Sequence, residues 1–406
     1  MNILFLLTQD LESPGGLGRY FPLAKGLAHI GHKVSIAALH GDFNSLEQLN
    51  FERCGVDIHY VGQMHVLKKD GEKLDFPAHK LLALAFKATW ALSQTALSIP
   101  ADIVHIGKPH PMNSVAGLLT QYLKNKTLFL DCDDVEAASN RFSGAWQRWG
   151  VAWFENNMPR HVKHLTTHTT YIWDRLRGYG IPEERISYLP NGVDPERFPA
   201  PDLEKLEALR SKLNLSGKKV VAYIGSLSLT NHPVDLLLEA FKHVHQVSSE
   251  TVLLLVGGGV DYQHLKSQTY RLGLEEAVQF CGHIPSDQVS LYYHLADVTV
   301  DPVFDDEVGR GRVPMKMFES WICGIPFVTA DVGDRRLLIG DPPAGLIANP
   351  GNTGSLAEVI RQVIENQELS VTLSKRGLER VQLYYWEHLA QKLEGIYKAQ
   401  LVSSSQ

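Results

Sequence analysis

Cysteine is scarce and unpaired. Four occur in 406 residues, Cys54, Cys132, Cys281 and Cys323, at spacings that suit neither a zinc site nor a disulfide framework. They read as reduced, mostly buried, small apolar residues. Long apolar runs are missing as well: no uninterrupted stretch of about 20 apolar residues occurs, so nothing is expected to span a bilayer. The run Ile3–Leu7 is too short for a signal peptide, lacks a basic flank and stops at Thr8-Gln9-Asp10. The cytoplasm is therefore the default location. Nor is there an excess of positive charge. Lys and Arg number 39 against 45 Asp and Glu, a net charge of −6, which argues against nucleic acid as a bulk partner but leaves room for a local basic groove for one diphosphate. Low-complexity sequence is confined to the tail, Ser403-Ser404-Ser405.

What is present points to a soluble globular chain of two or three domains, 44% hydrophobic and 21% charged. Ile3–Leu7 is fully apolar, as in a parallel strand buried on both faces. A Pro14-Gly15-Gly16 turn follows, then a helical stretch from Arg19 to Ile30 and a second strand at Val34–Leu39. Further strands are predicted at Ile58–Val61, Ile103–Ile106, Thr127–Leu130, His164–Thr167 and Ile186–Tyr188. The same grammar restarts at Val220–Ile224, with Gly225-Ser226 as its turn and a helical pattern over Asp235–Val247. Strands at Thr251–Val256, Val278–Phe280, Val298–Val300 and Phe327–Thr329 continue it. Two such series predict an α/β chain with two Rossmann-like, doubly wound domains facing across a cleft. The expected boundaries are 1–195, 196–380, and a C-terminal segment 381–406 whose helix packs back on the first domain.

The chemistry concentrates at strand ends. Gly15-Gly16, Gly225-Ser226 and Gly257-Gly258-Gly259 each follow an apolar strand, where close backbone approach and a following helix suit a diphosphate. Any one of them alone is more readily a structural turn; three at strand ends in two matching domains favour binding. The segment Arg310-Gly311-Arg312-Val313-Pro314-Met315-Lys316-Met317-Phe318-Glu319 is the most informative. Pro314 suits a first helical turn, and Lys316 and Glu319, three apart, share a helix face. Arg310, Arg312 and Lys316 would neutralise a diphosphate leaving group, and Glu319 would accept from ribose hydroxyls. The competing reading is a solvated, salt-bridged helix end.

These residues resemble the GT-B retaining glycosyltransferases, family four. Gly31-His32-Lys33-Val34, Asp102-Ile103-Val104-His105, Pro190-Asn191-Gly192-Val193-Asp194, and Glu319-Ser320-Trp321-Ile322-Cys323-Gly324-Ile325-Pro326 carry the likeness over nearly the whole chain. The resemblance implies transfer of a sugar from a nucleotide-sugar donor, which is a substrate and not a cofactor, to a hydroxyl acceptor. It also implies retention at the anomeric carbon, no metal requirement, donor binding by the second domain and acceptor binding by the first. The chain departs from the pattern at four places. The first of two family glutamates falls on Gly311, with Asp305, Asp306 or Glu307 as substitutes. The usual Arg and Lys after the first strand of the second domain fall on Ser226 and His232. The catalytic histidine of many members falls on Gly107, leaving His110 as the better candidate and His105 as a packed core residue. Leu130-Asp131-Cys132-Asp133-Asp134-Val135-Glu136 ends a strand in a carboxylate cluster with metal-like spacing; Asp133 or Asp134 is read as an acceptor-side base or hydrogen-bonding residue, with helix N-capping as an equal alternative.

Two rival functions stay open: a nonhydrolysing nucleotide-sugar epimerase, and a catalytically weak nucleotide-sugar-binding relative. Trp146, Trp149 and Trp153 recur at helical spacing, and Lys80–Ile99 is another largely apolar helix. Core or interdomain packing is the expected reading. The alternative is a face that accepts a lipid-linked acceptor or rests peripherally on the inner face of a membrane.

Overall fold

The computed structural model describes residues 1–13, 15–69, 72–142 and 144–402. Pro14 of the expected turn and Ser403–Ser405 of the tail lie outside the described residues. The chain forms two units: Met1–Gly192 with Trp386–Gln406, and Val193–Tyr385. The sequence boundaries were set at 195/196 and 380/381.

The first unit is built on β1 (Asn2–Leu7), β2 (Lys33–His40), β3 (Asn50–Arg53), β4 (Val56–Gln63), a two-stranded hairpin of β5 (Val66–Lys69) and β6 (Glu72–Asp75), and then β7 (Ile103–Gly107), β8 (Thr127–Cys132), β9 (His164–Thr167) and β10 (Ile186–Tyr188). Its main sheet runs β10-β9-β8-β7-β1-β2-β4-β3 and is parallel except for β3. Side chains alternate across a strand. Ile3, Phe5 and Leu7 therefore enter one buried cluster, while Leu4 and Leu6 enter the other. That is why β1 is apolar throughout. Helix α1 (Phe21–His29) and the C-terminal helix Trp386–Val402 cover the first face, through Leu23, Leu27, Trp386, Leu389, Leu393 and Tyr397. Helices α2 (Ala78–Ser98) and α3 (Pro111–Lys124) cover the second. Helix α3 starts on Pro111, whose missing N–H costs nothing at a first turn, and stops where Asn125 turns left-handed at φ 50°. Shorter helices α4 (Glu136–Ser139), α5 (Ala145–Asn157) and α6 (Thr170–Gly178) follow. The helix expected from Arg19 instead begins as a π-turn over Gly16–Tyr20 and becomes α-helical at Phe21.

The three tryptophans of α5 are not in the core. Trp146, Trp149 and Trp153 are 45%, 71% and 47% exposed. The buried residue of α5 is Glu155, which pairs with Arg175 at 3.2 Å and accepts from the Ala137 N–H at 3.0 Å. The inward side of the helix is thus polar, and its aromatic side faces out.

The second unit carries β11 (Lys219–Ile224), β12 (Thr251–Val256), β13 (Val278–Gly282), β14 (Val298–Val300), β15 (Phe327–Ala330) and β16 (Gly345–Ala348), all parallel, in the order β13-β12-β11-β14-β15-β16. This is the 3-2-1-4-5-6 order of a dinucleotide-binding sheet. Its helices include α7 (Leu203–Lys212), α8 (Val234–Val247), α9 (Tyr262–Leu272), α10 (Val289–Leu295), α11 (Glu307–Arg310) and α12 (Met315–Ile322). The strand order reverses between β11 and β14, and between β1 and β7 in the first unit. In open α/β sheets ligands bind beyond the strand C-termini at such reversals. The sites described next lie there. Among the described residues, no helix is long and apolar enough to cross a membrane.

Candidate active site

In the second unit, Asp301 follows β14 with its carboxylate fully buried. Three cations converge on it: Lys316 Nζ at 2.9 Å, Arg335 NH2 at 3.0 Å and Arg312 NH2 at 3.7 Å. Burial opposes ionisation of Asp301, yet the Lys316, Arg312 and Arg335 charges hold its pKa far below the usual carboxylate range. Burial likewise pulls the Lys316 pKa down, with Asp301 opposing it. The Lys316 ammonium also sits 4.5 Å from the centre of the Tyr223 ring. Arg312 donates to His232 Nδ1 at 2.6 Å and to the Asn231 carbonyl. Burial, then the Arg312 charge, holds His232 well below its ordinary pKa, so the ring is neutral and able to accept. Arg312 Nε and NH2 are buried without a hydrogen-bond partner among the described residues. Three cations converge on Asp301, and the buried Asp334 carboxylate acts on Arg335 as well, which leaves an excess of positive charge in a dehydrated setting, a cost that a bound anion offsets.

The glycine loops frame this cluster. The Lys316 side chain reaches the β11 turn: a Cβ on Gly225 would lie 3.3 Å from Lys316 Cε. Gly257, at φ 135°, packs its Cα against the same turn, where a Cβ would fall 2.0 Å from the Gly225 carbonyl oxygen. Part of the glycine requirement is therefore loop against loop. Gly258 is different, since a Cβ there would meet nothing closer than His283 Cβ at 4.0 Å. Ser226 is exposed, and its carbonyl accepts from the Tyr223 hydroxyl at 2.8 Å. Glu319, on α12 one turn beyond Lys316, is half-buried and accepts from the Tyr293 hydroxyl at 2.7 Å.

Arg310 stands apart from this arrangement. It is exposed and held by Asp305 through bonds of 2.6 and 3.0 Å. Asp306 caps α11 by accepting from the Gly309 N–H, and Gly311 ends that helix. Asp305 and Asp306, both considered as substitutes for the missing glutamate, are thus engaged within their own loop. Sequence reasoning missed Asp301 and Arg335. Asp301 had a signal, an acid closing an apolar strand just before Pro302; Arg335, 34 residues further on, had none.

In the first unit the strand ends hold a second charged cluster. Lys108 Nζ, at the end of β7, lies 3.1 Å from Asp133, 2.8 Å from Asp134 and 2.7 Å from Glu136. Among the described residues, these three carboxylates are the group close enough together to share a metal ion, and the Lys108 ammonium already bridges them. His110 contacts Thr8 Oγ1 through Nδ1 and Glu136 through Nε2, both at 2.8 Å. Burial pushes the Asp133 carboxyl up to about 8, with Lys108 opposing the rise and Asp134 and Glu136 adding to it. Glu136 is held well below its ordinary range: burial opposes this, but Lys108 and His110 prevail.

Beside the cluster, Asp131 makes a bidentate pair with Arg19 at 2.6 and 2.7 Å. Arg19 also donates to Asn191 Oδ1 and to the Leu189 and Pro190 carbonyls, which fixes the Pro190-Asn191-Gly192 segment. Gly15 and Gly16 open the π-turn, and Gly16 abuts the Asp10 carbonyl, where a Cβ would fall 2.1 Å away. His105 is a core residue, stacked on Phe5 and hydrogen-bonded to Tyr397 at 2.5 Å, and burial holds its pKa down to about 4. Gly107 has no room for a side chain, since a Cβ would fall 2.5 Å from Leu7 Cδ2 and 2.9 Å from the Tyr20 ring.

Two α/β units with these strand orders define the GT-B class. Residues 205–380 match the family described as Glycosyl transferases group 1, and residues 14–197 match Glycosyltransferase Family 4. The chain belongs to this glycosyltransferase family. It is 25% identical over 235 residues to the GDP-mannose-dependent alpha-(1-6)-phosphatidylinositol monomannoside mannosyltransferase of Mycobacterium tuberculosis, covering 56% of this chain and 60% of that protein. The chain thus spans about 60% of the length of that curated relative. In structure it resembles sucrose-phosphate synthase from Thermosynechococcus elongatus, with a TM-score of 0.77 at 17% identity over 99% of both chains. It also resembles Anabaena HepE in complex with UDP-glucose, with a TM-score of 0.74 at 19% identity over 98% of this chain and 100% of that one.

Proposed function

We propose that the protein transfers a hexosyl group from a nucleoside diphosphate sugar to an acceptor hydroxyl, with retention at the anomeric carbon. The carrying observation is the buried cluster in which Arg312, Lys316 and Arg335 converge on Asp301 and outnumber the two buried carboxylates that act on them, Asp301 and Asp334. In this reading the second unit holds the donor. The diphosphate lies against Arg312, Lys316 and the Gly225 and Gly258 turns, and Glu319 accepts from the ribose. The bond from the anomeric carbon to the β-phosphate oxygen breaks, and the nucleoside diphosphate leaves with the electron pair. Lys316 and Arg312 stabilise the charge that develops on it. The acceptor oxygen bonds to the anomeric carbon and gives up its proton.

The first unit holds the acceptor, and we assign that proton to Asp133, a carboxyl raised to about 8 and therefore a competent base near neutrality. His110 holds Glu136 in place beside it. The donors named for the relatives, GDP-mannose and UDP-glucose, support a hexose donor, and the alpha linkage named for the mycobacterial enzyme agrees with retention. Incubation with UDP-, GDP-, ADP- and TDP-sugars, with and without candidate acceptors, tests the proposal. Acceptor-dependent release of nucleoside diphosphate is the expected result. Sugar interconversion without acceptor, or binding without any turnover, contradicts it.

A further inference from the structure

The helical layer on one face of the first unit has an outer surface that the transfer reaction does not use. Helix α3 packs against both α2 and α5. On α2, Leu82, Phe86 and Trp90 recur every four residues and are exposed, Phe86 by 74%. On α5, Trp146, Trp149 and Trp153 form a second exposed stripe, and Tyr122 and Leu123 are exposed at the end of α3. Large aromatics are rarely left in water in this number on one face of a soluble domain.

The charge on these helices is one-sided. Lys80, Lys87, Lys124 and Arg148 are exposed among the aromatics. From Ala78 to Lys126 the sole acid is Asp102, which lies in the turn before β7 and accepts from the Asn2 N–H. Helix α5 has Glu155 as its sole acid, buried against Arg175. A chain of net charge −6 thus presents, on these three helices, a surface with basic side chains and no exposed carboxylate.

We propose that the α2–α3–α5 face docks on an anionic phospholipid bilayer. Tryptophan and phenylalanine settle at the level of the headgroups, and lysine and arginine beside them meet the lipid phosphates. The two signals together give reversible, salt-sensitive attachment. A second copy of the chain fits less well, because a two-fold interface would set these cations against their own copies. The proposal is independent of the transfer reaction.

Flotation of the full chain with phosphatidylcholine vesicles, with and without a one-third share of phosphatidylglycerol, tests it. The wild-type chain is expected to float with the anionic vesicles at low salt and to be released by high salt. Lys80→Glu/Lys87→Glu and Phe86→Ser/Trp149→Ser should each lower the bound fraction roughly tenfold. These are surface substitutions, so thermal unfolding should stay close to that of the wild type. Absence of wild-type flotation, or equal flotation of the wild type and both variants, overturns the proposal. So does a dimer in sedimentation that both variants abolish while vesicles remain unbound.

Discussion

Asp301 and Asp133 are both buried carboxylates at strand ends, and their surroundings push them in opposite directions. Asp301 balances three cations, so its loss leaves positive charge buried without a partner. Asp301→Asn should cost about 3–5 kcal/mol, read by chemical denaturation. Asp133 behaves differently. Burial raises its pKa to about 8, against the pull of Lys108. A carboxyl raised in the folded chain contributes stability that is full below the ordinary carboxylate range and is lost as pH climbs towards 8. Asp133→Asn removes that loss. Between about pH 5 and about pH 8.5 the Tm difference should therefore move in the variant's favour by on the order of 10 °C, and a flat difference would contradict the assignment. Of these residues, Lys316, Glu319 and Asp133 were legible in the sequence, because helical spacing after Pro314 and a strand closing in acids are local patterns. Arg335 was not, because its partner Asp301 is brought to it only by the sheet.

At the scale of elements, apolar runs located the central strands, since a strand covered on both faces has no polar side to obscure it. The hairpin of β5 and β6 was missed: Lys68, Lys69, Glu72, Lys73 and Asp75 make it read as a charged loop. The tryptophans of α5 were misplaced for a related reason. A helical period of apolar residues has the same sequence whether the stripe faces the core or the solvent, and only the buried Glu155 settles which. The end of β7 shows a departure from the family built into the packing. Gly107 is enclosed by Leu7 and Tyr20, so restoring the family histidine by Gly107→His should overpack the strand end. The expected cost is about 1–3 kcal/mol, measured by thermal unfolding, with no gain in transfer.

At the scale of the whole molecule, the second unit is one continuous segment and the first is not. Trp386, Leu389, Leu393 and Tyr397 complete the core that also holds β1 and α1. At about 1.5–3 kcal/mol for each buried side chain, their removal costs roughly as much as a domain's whole stability. A chain ending at Tyr385 should therefore lose the unfolding transition of the first unit in calorimetry and keep that of the second.

The central claim is that the Asp301 cluster and Glu319 together grip a nucleoside diphosphate. Isothermal titration of UDP, GDP and inorganic pyrophosphate into the wild type, Lys316→Met and Glu319→Ala tests it most directly. Lys316→Met should weaken the nucleotide and pyrophosphate alike by roughly tenfold or more. Glu319→Ala should weaken the nucleotide and leave pyrophosphate unchanged. Nucleotide affinity unchanged in both variants would contradict the account.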